Sequence, residues 1–236
     1  MTNKINNKLS KLIKYYSLIN YSLIYDNKSI NRYKKNTHVN SGNKGLLLKK
    51  LTESINKIKN CNLKINATNQ VFADGNPESK IMIIGEGPGD NEDKEGIPFV
   101  GRAGQLLDKM LESINLNRDN VYITNVINFR TPDNRKPSSE EIERYLPYLT
   151  KHIEIISPKI LLLLGSTALN TLIGDKIVIS EARGKWVEKQ IGNCKLFVIT
   201  SFHPAFLIRQ PDQKKMSWID LKMIRKKIFE LKIKID

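Results

Sequence analysis

The sequence predicts an α/β fold, with a parallel sheet covered on both faces by helices. Three observations carry that prediction. Mostly apolar runs at Lys80–Ile84, Val121–Thr124, Lys159–Leu164 and Leu196–Thr200 alternate with helical patterns of ten or so residues. Three motifs rich in polar and glycine residues sit at or just past the ends of these runs: Gly85-Glu86-Gly87-Pro88-Gly89, Thr124-Asn125-Val126, and His203-Pro204-Ala205-Phe206-Leu207-Ile208-Arg209. In an open parallel sheet, loops leaving the carboxyl ends of the strands share one crevice, so the three motifs are expected to meet there.

The elements follow in chain order. Residues 9–25 place Leu12, Ile13, Tyr16, Ile19 and Leu23 on one stripe, the mark of an amphipathic helix. Asp26 through Gly45 is polar and nearly patternless and reads as a linker. Residues 1–45 are therefore expected to form a basic N-terminal extension, helix plus linker, ahead of a domain at 46–236. Leu47, Leu48, Leu51, Ile55 and Ile58 give the next helical face. The first strand of the regular alternation follows at residue 80. Past Gly104, a helix carries Leu106, Leu107, Met110, Leu111 and Ile114. A helix near 139–156 has Ser138 or Ser139 as N-cap and acids in its first turn. A short helix at Ser166–Ile173 separates the last two strands, and a basic amphipathic helix near 214–231 closes the chain.

Composition narrows the function classes. Of a formal net charge of +15 over 236 residues, about half comes from residues 1–45, where nine Lys/Arg face one acid, Asp26. A polyanionic partner is the first expectation; the competing explanation is a Lys/Asn/Ile bias from an AT-rich coding sequence. No apolar run reaches the roughly 18 residues of a membrane span, and no secretory leader is legible, so a cytoplasmic protein is expected. Cys61 and Cys194 form no C-x-x-C, so neither a disulfide framework nor a zinc site is indicated.

The glycine loop fails the dinucleotide fingerprint, because Asp90 stands at the third glycine position, and it lacks the Gly-Lys-Ser/Thr of a P-loop. A nucleotide-binding regulator is thereby disfavoured. What exceeds a plain turn is its continuation, Glu92-Asp93…Gly96-Ile97-Pro98-Phe99-Val100-Gly101-Arg102-Ala103-Gly104.

That string, the segment Phe72-Ala73-Asp74-Gly75-Asn76-Pro77 before it, Thr124-Asn125-Val126…Arg130-Thr131-Pro132-Asp133-Asn134-Arg135-Lys136-Pro137 and the His203–Arg209 motif resemble, in order and spacing, the family 4 uracil-DNA glycosylases. The resemblance covers roughly residues 60–225. It implies a three-layer α/β/α fold with a short, mainly parallel central sheet, and a monofunctional enzyme acting on uracil-containing DNA as a monomer. Such an enzyme holds a flipped base, stabilises charge on the departing uracil and places a water. On this reading Phe99 stacks on the base, and the Asn125 amide, both donor and acceptor, reads its edge. His203 donates to uracil O2 as a neutral imidazole. The backbone at Gly87 and Gly89 approaches the base, Phe206-Leu207-Ile208 form an apolar wedge, and Arg135 and Arg209 contact phosphates. Related families carry an acidic or amide side chain where this chain has Gly87, which leaves Glu86 and Glu92 as candidates for the water, with Asp93 behind them. Glu92 is favoured for the catalytic role and Glu86 for a supporting one. A catalytically weak uracil- or DNA-binding relative is the alternative.

The chain departs from the family in one respect. Family 4 members commonly hold a [4Fe–4S] cluster on four cysteines. Cys61 matches the first, but Lys64, Phe129 and Tyr145 stand at the other three positions. No cluster is therefore expected, with Phe129 and Tyr145 filling its volume. A subgroup that bonds covalently to DNA through a histidine in an inserted loop is also unlike this chain, since Asn128–Pro137 contains no histidine.

Overall fold

The computed structural model describes residues 41–59 and 61–235. The helix expected at 9–25 and most of the linker lie outside them. The first described helix, α1 (Ser41–Asn56), begins within the segment read as linker. Lys44 supplies the reason: it is 5% exposed, and its ammonium donates to the carbonyls of Ile156 (3.1 Å) and Pro77 (3.3 Å) and pairs with Glu78 (3.1 Å). A polar stretch is thus held by one buried cation, a contact that hydrophobic periodicity does not register.

The remaining elements run α2 (Asn62–Asn66), β1 (Ala73–Gly75), β2 (Ile81–Gly85), α3 (Asp90–Glu95), α4 (Arg102–Glu112), β3 (Tyr122–Asn125), α5 (Ser139–Ile156), β4 (Ile160–Leu164), α6 (Ser166–Leu172), α7 (Ile179–Ala182), β5 (Val187–Ile191), β6 (Cys194–Ser201), α8 (Pro204–Arg209) and α9 (Lys214–Glu230). They form one six-stranded sheet in the order β1-β3-β2-β4-β6-β5. The inner four strands are parallel, and the edge strands β1 and β5 pair antiparallel to β3 and β6.

Strands β2 and β4 are buried along their whole length, as strands covered on both faces must be. Their alternate residues feed separate cores. Met82, Ile84, Leu161 and Leu163 pack with Leu48, Leu51 and Ile55 of α1 and with Leu149 and Ile153 of α5. Ile81, Ile83, Ile160 and Leu162 pack on the other side with Leu107 and Leu111 of α4 and Leu221 and Ile224 of α9. Three layers result. Ser138 is the N-cap of α5, accepting from the Glu141 N–H (3.2 Å).

A buried polar joint ties α9 to the end of β6. Asp220 is fully buried and accepts from Ser201 Oγ (2.7 Å) and from the Arg183 guanidinium, whose Nε lies 3.1 Å from Oδ2. Burial pushes the Asp220 carboxyl above its ordinary range, against the opposing pull of Ser201 and Arg183. Removing one partner of a buried pair strands the other charge. Arg183→Met is therefore expected to cost about 3–5 kcal/mol in urea unfolding, and Arg183→Met/Asp220→Leu markedly less. Equal losses in the single and double variants would show that the pair does not hold this joint.

Candidate active site

The four parallel strands end level with one another. Register pairs Gly85 with Asn125, Ile84 with Leu163 and Leu164 with Ser201. Over these ends lies a cavity of about 490 Å³, lined by Glu86–Gly89, Glu92, Phe99, Asn125, Leu164–Ser166, His203, Phe206 and Arg209, among others. The three motifs do meet.

Gly85 lets them come close. A Cβ there would lie 2.5 Å from both Asn125 Oδ1 and the Phe99 ring, so only glycine leaves room for the amide and the aromatic side chain to converge. Asn125 is 3% exposed, and its Oδ1 has no hydrogen-bond partner among the described residues. A buried acceptor without a donor costs about 1–3 kcal/mol. One other described side chain, Asn170, has such an orphan oxygen, and it does not line this cavity.

Phe99 is held in a left-handed backbone conformation, φ 56°, which is unfavourable for a bulky residue. Two devices impose it. The Arg118 guanidinium donates to the carbonyls of Pro98 (3.1 Å) and Phe99 (2.5 Å) while pairing with Asp74 (2.6 Å) and Asp108 (2.9 Å). The Phe99 carbonyl is also seated on α4 where a Cβ on Gly104 would lie 1.6 Å from its oxygen, which demands glycine. The fixed ring lies 5.6 Å from the His203 ring, inclined at 30°.

His203 is the N-cap of α8, and its Nδ1 accepts from the Ala205 N–H (3.2 Å). That bond fixes the tautomer and leaves the proton on Nε2, which has no protein partner among the described residues. Burial, aided by Arg209, holds the imidazole well below its ordinary value, at about 4. The side chain is a neutral donor at physiological pH.

The acidic residues divide by function. Glu92, expected as the catalytic carboxylate, uses both oxygens as a clasp: Oε2 accepts from the Gly89 N–H (3.1 Å) and Oε1 from the Gly101 N–H (2.8 Å). It joins the glycine loop to the start of α4. Asp93 is 4% exposed and accepts from the N–H groups of Thr68 (2.9 Å) and Asn69 (3.2 Å), a structural duty. Glu86 accepts from Thr167 Oγ1 through Oε2, and its other oxygen has no protein partner among the described residues.

The DNA-facing expectations fare unevenly. Phe206 lines the cavity, 5.0 Å from the Phe202 ring, and Arg209 is exposed at its mouth. Leu207, expected in a wedge, is 1% exposed and belongs to the core with Ile199 and Leu221. It anchors α8, and its contact with DNA is withdrawn. Arg135 lines the mouth but forks onto Glu141 (2.6 and 2.8 Å), so a phosphate must compete with that carboxylate. The sequence reading passed over Arg118 and Thr167, neither of which belongs to a motif. The Glu92 clasp was legible as half of a capping box, glutamate three residues after the N-cap Gly89.

At the positions of the family's cluster ligands, Cys61 Sγ lies 3.2 Å from the Tyr145 hydroxyl, both groups being buried. Phe129 is 3% exposed in the same core, and Lys64 donates to the Asn56 carbonyl. No three His, Cys, Asp or Glu side chains among the described residues come together to hold a metal ion. One thiolate beside a phenol, a phenyl ring and an ammonium does not fit a four-iron cluster, which needs a set of thiolates.

Residues 72–223 match the family model of the uracil DNA glycosylase superfamily. The chain is also similar to type-4 uracil-DNA glycosylases. It is 42% identical to that of Thermotoga maritima over 69% of this chain and 84% of the relative. For Sulfurisphaera tokodaii the figures are 40%, 75% and 83%, and for Archaeoglobus fulgidus 38%, 74% and 89%.

A pH dependence follows from the histidines. Burial holds His203 at about 4 and His152 at about 3, both below the ordinary 6.5. Below pH 6.5 the unfolded chain therefore binds more protons than the folded one. The stability from these neutral imidazoles is complete above that pH and declines as the pH falls towards 4. The urea midpoint should drop between pH 7 and pH 5, less so in His152→Phe, and the catalytic rate should show no acid limb near 6.5. A rate limb at that pH abolished by His203→Asn would contradict the neutral assignment.

Proposed function

This chain belongs to the uracil DNA glycosylase superfamily, and from that premise we infer a DNA-repair hydrolase that excises uracil from DNA and leaves an abasic site. The observation that carries the reading is the orphaned Asn125 Oδ1 beside a fixed aromatic ring. The N3–H of uracil is the donor that oxygen lacks, and uracil O4 can accept from the same amide. Phe99 offers the stacking face, and the backbone at Gly87 can approach the base closely, the Gly89 N–H being held by Glu92.

The bond to be broken joins C1′ of deoxyribose to N1 of uracil. As it lengthens, its electron pair moves onto the base and negative charge grows on O2. The neutral His203 Nε2–H donates there, a preorganised hydrogen bond that strengthens as the charge develops. No proton need be transferred to the leaving group. The sugar, left with oxocarbenium character, is attacked by water, whose proton passes to a carboxylate.

We assign that water to Glu86, reversing the order of preference in the sequence. The support is the free oxygen of Glu86 against the two occupied oxygens of Glu92. Glu92 is then a positioning residue that fixes the glycine loop. Arg209 and, after release from Glu141, Arg135 contact phosphates. Phe206 stands where a flipped base leaves space, in place of the full apolar wedge.

The reading includes a protein without an iron–sulfur cluster. Its support is the donor set at Cys61, Lys64, Phe129 and Tyr145, and no step of the reaction is routed through such a group. It also includes a monomer working in the cytoplasm. No described helix is long and apolar enough to cross a membrane. Residues 1–40, which carry eight of the nine Lys/Arg of the expected extension, are assigned to electrostatic attraction to DNA, Lys44 being buried in the domain.

Alkali-revealed cleavage of an oligonucleotide bearing one uracil tests the reading. Wild type should cleave from a colourless preparation, and His203→Ala should lower the single-turnover rate by about 10²–10³ with DNA affinity retained. A brown preparation would refute the cluster-free assignment, and undiminished cleavage by His203→Ala the role of the imidazole.

The two carboxylates separate by stability. Glu86→Gln should slow cleavage at unchanged Tm, and Glu92→Gln should lower Tm as well because it loses an acceptor for one of two backbone N–H groups. The reverse pattern would return the water to Glu92.

A further inference from the structure

The site described above ends at Arg209, but the chain continues through the turn Pro211–Gln213 directly into α9. The inner face of α9 is accounted for by Ser217, Asp220, Leu221, Ile224 and Ile228, all buried. Its outer face is not. At helical spacing it presents Lys215, Trp218, Ile219, Lys222, Arg225, Lys226 and Phe229, all exposed. Trp218 is 42% exposed, with the Lys222 ammonium 5.8 Å from its ring centre.

This face bears no acid. The two acids of α9 are Asp220, buried on Arg183, and Glu230, paired with Lys227 at 2.8 Å. Lys215, Lys222 and Arg225 have no ion-pair partner among the described residues.

The end of α9 nearest the cavity is fixed by contacts already on the page. Ser217 Oγ lies 3.2 Å from Ser201 Oγ at the carboxyl end of β6, and Arg183 donates to the Met216 carbonyl. Farther along the helix, the Lys227 ammonium sits 4.9 Å from the ring of Phe197, midway along the strand. The helix therefore runs back down β6, and its first half flanks the site. From Lys215 to Lys222 the strip is about 10 Å long.

We propose that Lys215, Trp218 and Lys222 form a second DNA contact, which holds the backbone of the strand beyond the flipped nucleotide. The proposal rests on the reading of the chain as a DNA glycosylase. The two ammonium groups meet phosphates, and the indole packs on a sugar while its N–H donates to a phosphate oxygen. Charge complementarity and continuity with Arg209 favour this occupant. A protein helix is the poorer fit, because cations interrupt the apolar residues and leave no seam at i, i+3, i+4 and i+7.

The chain has two tryptophans, so Trp186→Phe leaves Trp218 as its only indole reporter. The emission of this variant should change when it is titrated with a long uracil-free duplex, and stay constant with a uracil-bearing trinucleotide that fills only the cavity. In a second arm, Lys215→Gln/Lys222→Gln should reduce the slope of log affinity against log salt for the duplex by about 1.8, two contacts at about 0.9 each. Its cleavage of a short uracil oligonucleotide should match wild type. An unchanged salt slope with emission indifferent to duplex would overturn the proposal. So would emission that responds to a polyglutamate peptide and not to DNA, which would give the face to an acidic protein segment. Failure of the glycosylase reading itself would appear separately, as no cleavage of the short oligonucleotide by wild type.

Discussion

Everything at the site depends on four parallel strands ending at the same level. Parallel pairing fixes which residues stand side by side, and here it sets Gly85 against Asn125 and Leu164 against Ser201. Because both faces of the sheet are sealed by apolar helices, the polar residues that reach the cavity sit at the last strand positions or in the loops just past them. The amide of Asn125, the glycine loop and the imidazole of His203 therefore converge without any of them having to interrupt the core. A slip of one residue in β3 would send Asn125 to the opposite face. Its amide would then be buried among apolar residues, and that cost protects the register.

Convergence alone does not make a rigid pocket, and the rigidity comes from groups outside the motifs. Arg118 holds two backbone carbonyls and two carboxylates at once, so the unfavourable dihedral of Phe99 is over-determined by its surroundings. Glu92 performs the same service for the glycine loop from inside the pocket. The result is an aromatic face and an imidazole donor held in place before any ligand binds. Preorganisation of this kind is what makes a hydrogen bond to developing charge effective.

The sequence made the inner strands, the main helices and the cavity-forming motifs legible, because each rests on local pattern: apolar runs, glycine spacing, caps. What it hid rests on distance. Strand β1 has three residues, and β5, with Val187 and Glu188 exposed, carries no apolar run. Arg118 lies in a polar turn between α4 and β3 and becomes significant only when Asp74, Asp108 and the Phe99 turn are brought around it. Thr167 is one hydroxyl on a short helix until β4 ends beside β2. Leu207 was misread for a subtler reason. In the run Phe206-Leu207-Ile208 any one residue can face inward, and the choice is settled by the phase of α8, which its cap at His203 sets.

The cluster-free reading proposed above requires that other side chains fill the corner around Cys61. Four thiolates around iron and sulfur constitute a covalent knot, and removing it leaves a void that would be costly if unfilled. Here Phe129 and Tyr145 are among the most deeply buried aromatic side chains of one of the two cores. The Tyr145 hydroxyl, which would otherwise be an unsatisfied polar group, is matched to Cys61 Sγ. Lys64 turns outward to cap the carbonyl of Asn56 near the end of α1. Aromatic side chains thus fill this corner, and a side-chain hydrogen bond closes its remaining polar gap. The segment before α5 reaches the cavity through Thr131 and Arg135, whereas α2 and Tyr145 do not line it. The positions of Asn125, Phe99 and His203 are set by strand register, by Arg118 and by the α8 cap, none of which passes through Cys61. The supports of these three side chains are therefore separate from the packing at Cys61 and Tyr145.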